Sequence, residues 1–208
     1  MNNQLPKQTR IVIVGGGIVG CSVAYHLTQQ GCRDVVLLEQ CEIGGGATSF
    51  AAGLVGGAPQ AGLRKLIDAS AKLYAALEKE TGVATGWKQV GSLVLAQTEA
   101  RMIQYRRAVP LALASGLDVN LITADEAKQK WPLLDTRDIR GAMWLTAEGR
   151  VDARQAALAL AKGTEKRGAT IVTGVRVTSV LCKDGRAVGV ATIQGEIAAE
   201  QVVLCAGM

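Results

Sequence analysis

The chain has 208 residues, enough for one or two domains with a substantial core. Hydrophobic residues make up 49% and charged residues 20%, which excludes a disordered chain, and no segment reaches the ~20 apolar residues of a membrane span. The net charge is +5, but the basic residues are dispersed and aromatics are only 3%, so no nucleic-acid partner is expected.

Residues 10–14 read as a buried strand and 18–30 as a helix closed by Gly31. Val35–Leu38 is a second buried strand ending at Glu39, which makes a β–α–β unit with a right-handed crossover. Lys7 and Arg10 ahead of the apolar 11–25 stretch imitate a secretion signal, but the glycines and the continuing amphipathic helix argue against one. Residues 44–57 form a long loop of small residues. Apolar residues near 3.6 spacing then predict a helix over 63–81. A strand is expected at 88–96, followed by a helix over 98–115 that Pro110 kinks or ends. Thr123-x-x-Glu126 is a capping box for a short helix stopping before Pro132, and 140–146 reads as a strand.

Asp152-x-x-Gln155 caps a helix over about 153–167, with Gly168 behind it. Strands follow at 170–173, 175–182, 187–194 and 197–199, with a hairpin turn at Asp184-Gly185. Val202–Cys205 is a last buried strand. There is no internal repeat. The five cysteines, 21, 32, 41, 182 and 205, include no CxxC pair and have no histidine at ligand spacing, so no metal site is expected. Cys21, Cys182 and Cys205 lie in apolar patterns and read as core thiols; a reducing compartment, the cytoplasm, fits them. His26, the only histidine, reads as a packing residue of the first helix.

The chemistry concentrates at "VGGGIVG". Gly15-x-Gly17-x-x-Gly20 follows a strand, opens a helix and meets Glu39 nineteen residues after Gly20. In a dinucleotide-binding unit Gly15 makes the tight turn, Gly17 lets a pyrophosphate touch the backbone, and Gly20 lets helix and strand pack closely. The phosphates then sit on free N–H groups at the helix N-terminus, here including Ile18 and Val19. The Glu39 carboxylate accepts hydrogen bonds from an adenosine ribose and repels a 2′-phosphate, which disfavours NADP. Spacing alone does not separate FAD from NAD. The loop "GGGATSFAAGLVGG", with the hydroxyls of Thr48 and Ser49, points to FAD, since it is suited to wrap a pyrophosphate and reach a flavin.

The sequence resembles the FAD-dependent amine oxidoreductases of the D-amino-acid oxidase type, in particular the sarcosine and dimethylglycine dehydrogenase branch. The matching residues are Gly15/Gly17/Gly20, Glu39, Gly46-Ala47-Thr48, Ala51-Ala52-Gly53-Leu54, "GSLVLA" (91–96), "GAMWLTAEGRVD" (141–152), "KRGATI" (166–171) and "VVLCAG" (202–207). The resemblance implies an α/β fold: a Rossmann-like FAD-binding domain with a β-meander crossover (175–199) and part of an inserted α+β substrate domain. It implies domains at 1–85 with 146–208 for FAD and 86–145 for substrate. It implies that Glu39 and Gln40 hold the ribose, that residues 46–54 (Gly46, Ala47, Thr48, Ser49, Ala51, Ala52, Gly53, Leu54) line pyrophosphate and flavin, that the Val177 backbone meets the adenine, and that Ala206-Gly207 lie near the cofactor. Many relatives carry a flavin-linked histidine where this chain has Phe50, so bound FAD is expected to be non-covalent.

The function expected is oxidation of a C–N bond in an N-methyl amino acid or related small amine, with the flavin accepting hydride. No catalytic residue is assignable. The chain is expected to be a segment that does not turn over alone and needs its missing half, from the same polypeptide or a second chain. Two alternatives stay open: an NAD-dependent dehydrogenase, and a non-catalytic dinucleotide-binding subunit working with a partner chain.

Overall fold

The computed structural model describes residues 5–56 and 63–207, so Gly57, the last residue of the expected loop, lies outside the described residues. They fall into two compact units. The first contains residues up to Gly53, Tyr74–Gly86 and Val151 onward; the second contains Leu54–Leu73 and Trp87–Arg150. Residues 54–73 and 146–150, placed above with the cofactor segments, cluster in the second unit.

The first unit is built on a six-stranded mixed sheet. In chain order its strands are β1 (Gln8–Val14), β2 (Val35–Glu39), β8 (Thr170–Thr173), β9 (Val177–Lys183), β10 (Arg186–Thr192) and β11 (Gly195–Leu204), arranged spatially as β8-β2-β1-β11-β10-β9. The pairs among β8, β2, β1 and β11 are parallel, while β10 is antiparallel to both its neighbours. Hydrophobic runs in β1 and β2 follow from this position, because a central parallel strand is buried on both faces. One face carries Val12, Val36, Leu38, Val172, Val190 and Ile197 into a single core cluster. Helices α1 (Ile18–Gln29) and α5 (Ala153–Lys166) pack against each other, with Ala24, Ala156, Ala157 and Leu160 buried.

Two expected strands, 197–199 and 202–205, are one ten-residue strand, β11, which first pairs with β10 and then runs beside β1. His26 is exposed rather than packed, because the helical period turns Ala24, Tyr25 and Thr28 inward and leaves it outside; its Nδ1 lies 3.2 Å from Gln29 Oε1. Cys21 is buried as expected, but Cys182 is exposed, on the edge strand β9.

The second unit holds a three-stranded antiparallel sheet, β4 (Ser92–Ala96), β6 (Gly141–Leu145) and β5 (Val119–Ile122), in the order β4-β6-β5. The expected strands at 88–96 and 140–146 are joined by a third that was not expected, β5, whose four residues are interrupted by Asn120. Helix α3 (Glu99–Ala114) covers one face through Met102 and Tyr105, which join Val119, Met143 and Leu145 in a core cluster. Pro110 lies inside α3 and does not end it; the residue is on the exposed side of the helix, where a carbonyl left without a donor is cheap to solvate. Helix α4 (Ala124–Lys130) has the expected capping box: Glu126 N–H donates to Thr123 Oγ1 at 3.2 Å, and Thr123 N–H donates back to Glu126 at 2.7 Å. A two-stranded ribbon, β3 (Leu54–Val55) with β7 (Gly149–Arg150), also belongs to this unit. Helix α2 (Arg64–Thr81) begins in the second unit and ends in the first.

Candidate functional site

The carboxyl ends of β1, β2 and β11 come together in the first unit. Gly15, at φ +109, turns the chain out of β1, and its N–H extends the ladder to Leu38 O at 2.8 Å. A side chain at Gly15 would run into the Cys205 carbonyl at the end of β11. One at Gly20 would strike the Gly15 carbonyl, with Cys205 Cβ 3.3 Å away. Packing within the chain therefore accounts for both glycines.

Gly17 is different. It is the N-cap of α1, with φ −72 and ψ −179, a conformation open to any residue, and no side chain of its own caps the helix. The only atom near an added Cβ is the Thr48 hydroxyl, at 3.2 Å. The fold itself makes little demand for glycine here, and the missing side chain leaves the helix end accessible to a group from outside the chain. The first N–H groups of a helix lack intrahelical partners and favour anions. That is the fit expected for a cofactor diphosphate.

The expected loop of small residues contains local structure. Residues Ala47–Phe50 form one turn of 3-10 helix. Thr48 is buried, and Ile18 N–H donates to its Oγ1 at 3.0 Å, so the Ile18 N–H expected to be free for a phosphate is already engaged within the chain. The Thr48 hydroxyl proton is then free to face a phosphate. Ser49 turns back on its own loop, donating to Gly46 O at 2.8 Å and Gly45 O at 3.1 Å. Gly46, Ala47, Ala51 and Ala52 are exposed, and Gly53 is half-buried with its carbonyl accepting from Val151 N–H at 2.9 Å. Leu54 falls in the second unit. Val19 and Phe50 are 61% and 88% exposed, uncovered apolar surface on α1 and the loop.

Glu39 is half-buried at the end of β2. Its Oε2 accepts from Gly16 N–H at 2.6 Å and its Oε1 from Cys41 N–H at 2.9 Å. A carboxylate has about four acceptor positions, so two remain for ribose hydroxyls. A depression of about 100 Å³ opens beside it, lined by Val14, Gly15, Leu38, Glu39, Gln40, Val175, Val177 and Ala206. It gathers Gly15, Glu39, Gln40, Val177 and Ala206, five residues singled out in the sequence from four separate segments. Gly207, at φ +79 and exposed, follows Ala206. Val14, Leu38 and Val175 were not anticipated; two lie at strand ends and Val175 in the connection between β8 and β9, and their signal in the sequence is that of any core valine or leucine. A larger groove of about 610 Å³, by Gly31, Arg33 and Lys166, lies at the C-terminal ends of α1 and α5. It contains neither the glycine turn nor Glu39, so we place the site at the strand ends.

Beneath the turn, Cys21 Sγ donates to Gly16 O at 3.3 Å. Burial, then the charge of Glu39 and the neighbouring Cys205, push its thiol up to about 12. Cys21 is thus a neutral packing group and not a nucleophile. Among the described residues no His, Cys, Asp and Glu cluster is suited to a metal.

A parallel sheet whose first strand passes through a glycine turn into a helix, with a carboxylate ending the second strand, defines a dinucleotide-binding protein of the Rossmann type. Residues 10–208 match the DAO family of FAD dependent oxidoreductases, and the chain belongs to that family, whose cofactor is FAD. It is 40% identical over 204 residues to the mitochondrial pyruvate dehydrogenase phosphatase regulatory subunit of Mus musculus, covering 98% of this chain and 23% of that protein. It is 35% identical over 205 residues to mitochondrial dimethylglycine dehydrogenase of Homo sapiens, covering 98% of this chain and 24% of that protein. The chain thus spans about a quarter of the length of these relatives. Its fold is that of glycine oxidase from Bacillus cereus, with a TM-score of 0.83 and 30% identity over 96% of this chain and 55% of that one.

Proposed function

We propose that this chain carries the FAD-binding part of an oxidoreductase acting on a C–N bond of an N-methyl amino acid or related amine. The first unit takes the cofactor, and the second contributes to the substrate side. The observation that carries the cofactor assignment is the glycine N-cap of α1 at Gly17, which only the Thr48 hydroxyl approaches among the described residues, beside the Glu39 depression. The kinship with dimethylglycine dehydrogenase supports the substrate class. Bound FAD would supply the acceptor for a hydride leaving the carbon next to nitrogen, and water would hydrolyse the resulting imine.

The chain's own residues bind and orient. The N–H groups at the start of α1, with Thr48, hold the diphosphate. Glu39 and Gln40 hold the ribose, and Val175 and Val177 flank the adenine side. Phe50 offers no nucleophilic atom, so the FAD is held without a covalent bond. Acid precipitation of the loaded protein should release all yellow colour to the supernatant, whereas colour retained in a washed pellet would contradict this. Exposed thiols at Cys41 and Cys182 suit a reducing compartment such as the cytoplasm.

Because the relatives are about four times longer, turnover is proposed for the whole-length protein or for an assembly with a second chain. The test is oxidation of sarcosine or dimethylglycine with FAD and an artificial electron acceptor. A second reading, a flavin-binding subunit without turnover, draws support from the relative named as a regulatory subunit. Full FAD occupancy with no oxidation of any N-methyl amine by the whole-length protein would favour that reading.

A further inference from the structure

We propose that Gly16 and Glu39 form a clamp that holds the glycine turn in its ligand-binding shape before the cofactor arrives. The proposal rests on the FAD reading and concerns a residue that the Gly15-x-Gly17-x-x-Gly20 spacing leaves free. Gly16 is not at a left-handed position, so the backbone does not require glycine there. What requires it is the approach of Glu39. An added Cβ at Gly16 would lie 2.8 Å from Glu39 Cβ, 3.1 Å from Glu39 Cγ and 2.6 Å from Ile43 Cδ1. The Ile43 methyl is a flexible end and yields. Glu39 Cβ is fixed to the end of β2 and does not.

The absence of a side chain therefore lets the Glu39 stem lie on the turn and its carboxylate reach Gly16 N–H at 2.6 Å. The same carboxylate fastens Cys41 N–H at 2.9 Å, Glu39 O accepts from Val175 N–H at 3.0 Å, and Gly16 O accepts from Gly44 N–H at 2.9 Å. The glycine turn, the end of β2 with the loop after it, and the Val175 connection are thus tied at one residue pair. Three consecutive glycines lose more freedom on ordering than any other tripeptide. A turn ordered in advance does not charge that loss against ligand binding. Glu39 is in this sense a positioning residue as well as a ribose acceptor, and Gly16 is its seat.

The test combines binding with amide hydrogen exchange on the FAD-free chain. Glu39→Ala should speed exchange at both Gly16 and Cys41 at least tenfold while leaving Val12, in the middle of β1, unchanged. Glu39→Gln retains one accepting oxygen and should release one of the two amides, not both. Gly16→Ala should weaken FAD and ADP about tenfold in the wild-type background and less than twofold in a Glu39→Gly background, where the opposing Cβ is gone. Equal losses in both backgrounds, or exchange at Gly16 and Cys41 that ignores Glu39, would overturn the clamp. If exchange responds as expected but the wild-type chain binds neither FAD nor ADP, the clamp stands and the cofactor reading fails.

Discussion

Gly17→Ala should leave the fold standing and remove most of the FAD affinity, whereas Gly20→Ala should damage both. At Gly17 the backbone suits alanine, and the nearest atom, the Thr48 hydroxyl at 3.2 Å, is a side chain that shifts by a few tenths of an ångström. Alanine is also a poorer N-cap than glycine, so the stability loss should stay below about 1 kcal/mol. A methyl group there stands in the path of the diphosphate, and FAD affinity should fall at least about tenfold, or ~1.4 kcal/mol. At Gly20 the added methyl meets the Gly15 carbonyl. That atom is backbone, fixed by the turn and by the Gly15 N–H bond to Leu38 O at 2.8 Å. Helix α1 must then move off the sheet, an overpacking cost of about 1–3 kcal/mol or more. Urea midpoints and FAD titrations of the two variants test the contrast. If Gly17→Ala bound FAD like the wild type, the helix end would not be the phosphate site.

The largest stability loss is expected from Tyr25→Ala, at about 3–5 kcal/mol. Tyr25 is 1% exposed and ties α1 to α5 and to the end of α2. Its ring fills the space left by Gly163, where a Cβ would come within 2.7 Å of it, and the Arg167 guanidinium lies 4.5 Å from its centroid. Its hydroxyl donates to Glu80 at 2.7 Å, and Arg167 donates to Glu80 at 2.6 Å and to the Tyr25 oxygen at 3.3 Å. Tyr25→Phe removes only the hydroxyl and should cost about 1–2 kcal/mol. Burial, then the Glu80 carboxylate, raises the Tyr25 phenol above its ordinary value. Its contribution is therefore complete below about pH 10 and is lost as pH rises further, a dependence that Tyr25→Phe should abolish. A loss under ~1 kcal/mol for Tyr25→Ala in a urea melt would contradict the packing described.

The β1–α1–β2 unit was legible in the sequence because its signals agree: a β-branched run, glycines at the turn, a 3.6 period and a carboxylate at the second strand end. The caps at Thr123 and Asp152 were legible for the same reason, being local. What escaped reading depends on partners distant in the chain. Strand β11 looked like two strands because its burial alternates differently beside β10 and beside β1. Strand β5 is too short for periodicity to find. Helix α3 survives Pro110 because that residue faces water. Gly16 was an unassigned letter inside the motif until Glu39 was seen lying on it. Val14, Leu38 and Val175 line the depression only because β1, β2 and the connection after β8 meet at one level.

The most direct test of the central claim is a parallel titration of the chain with FAD and with NAD, followed by flavin fluorescence quenching and by calorimetry. A chain whose strand-end site takes FAD should bind it at least about 100-fold more tightly than NAD, a difference of ~2.7 kcal/mol. Equal affinity for NAD, or FAD binding that is indifferent to Gly17→Ala, would contradict it.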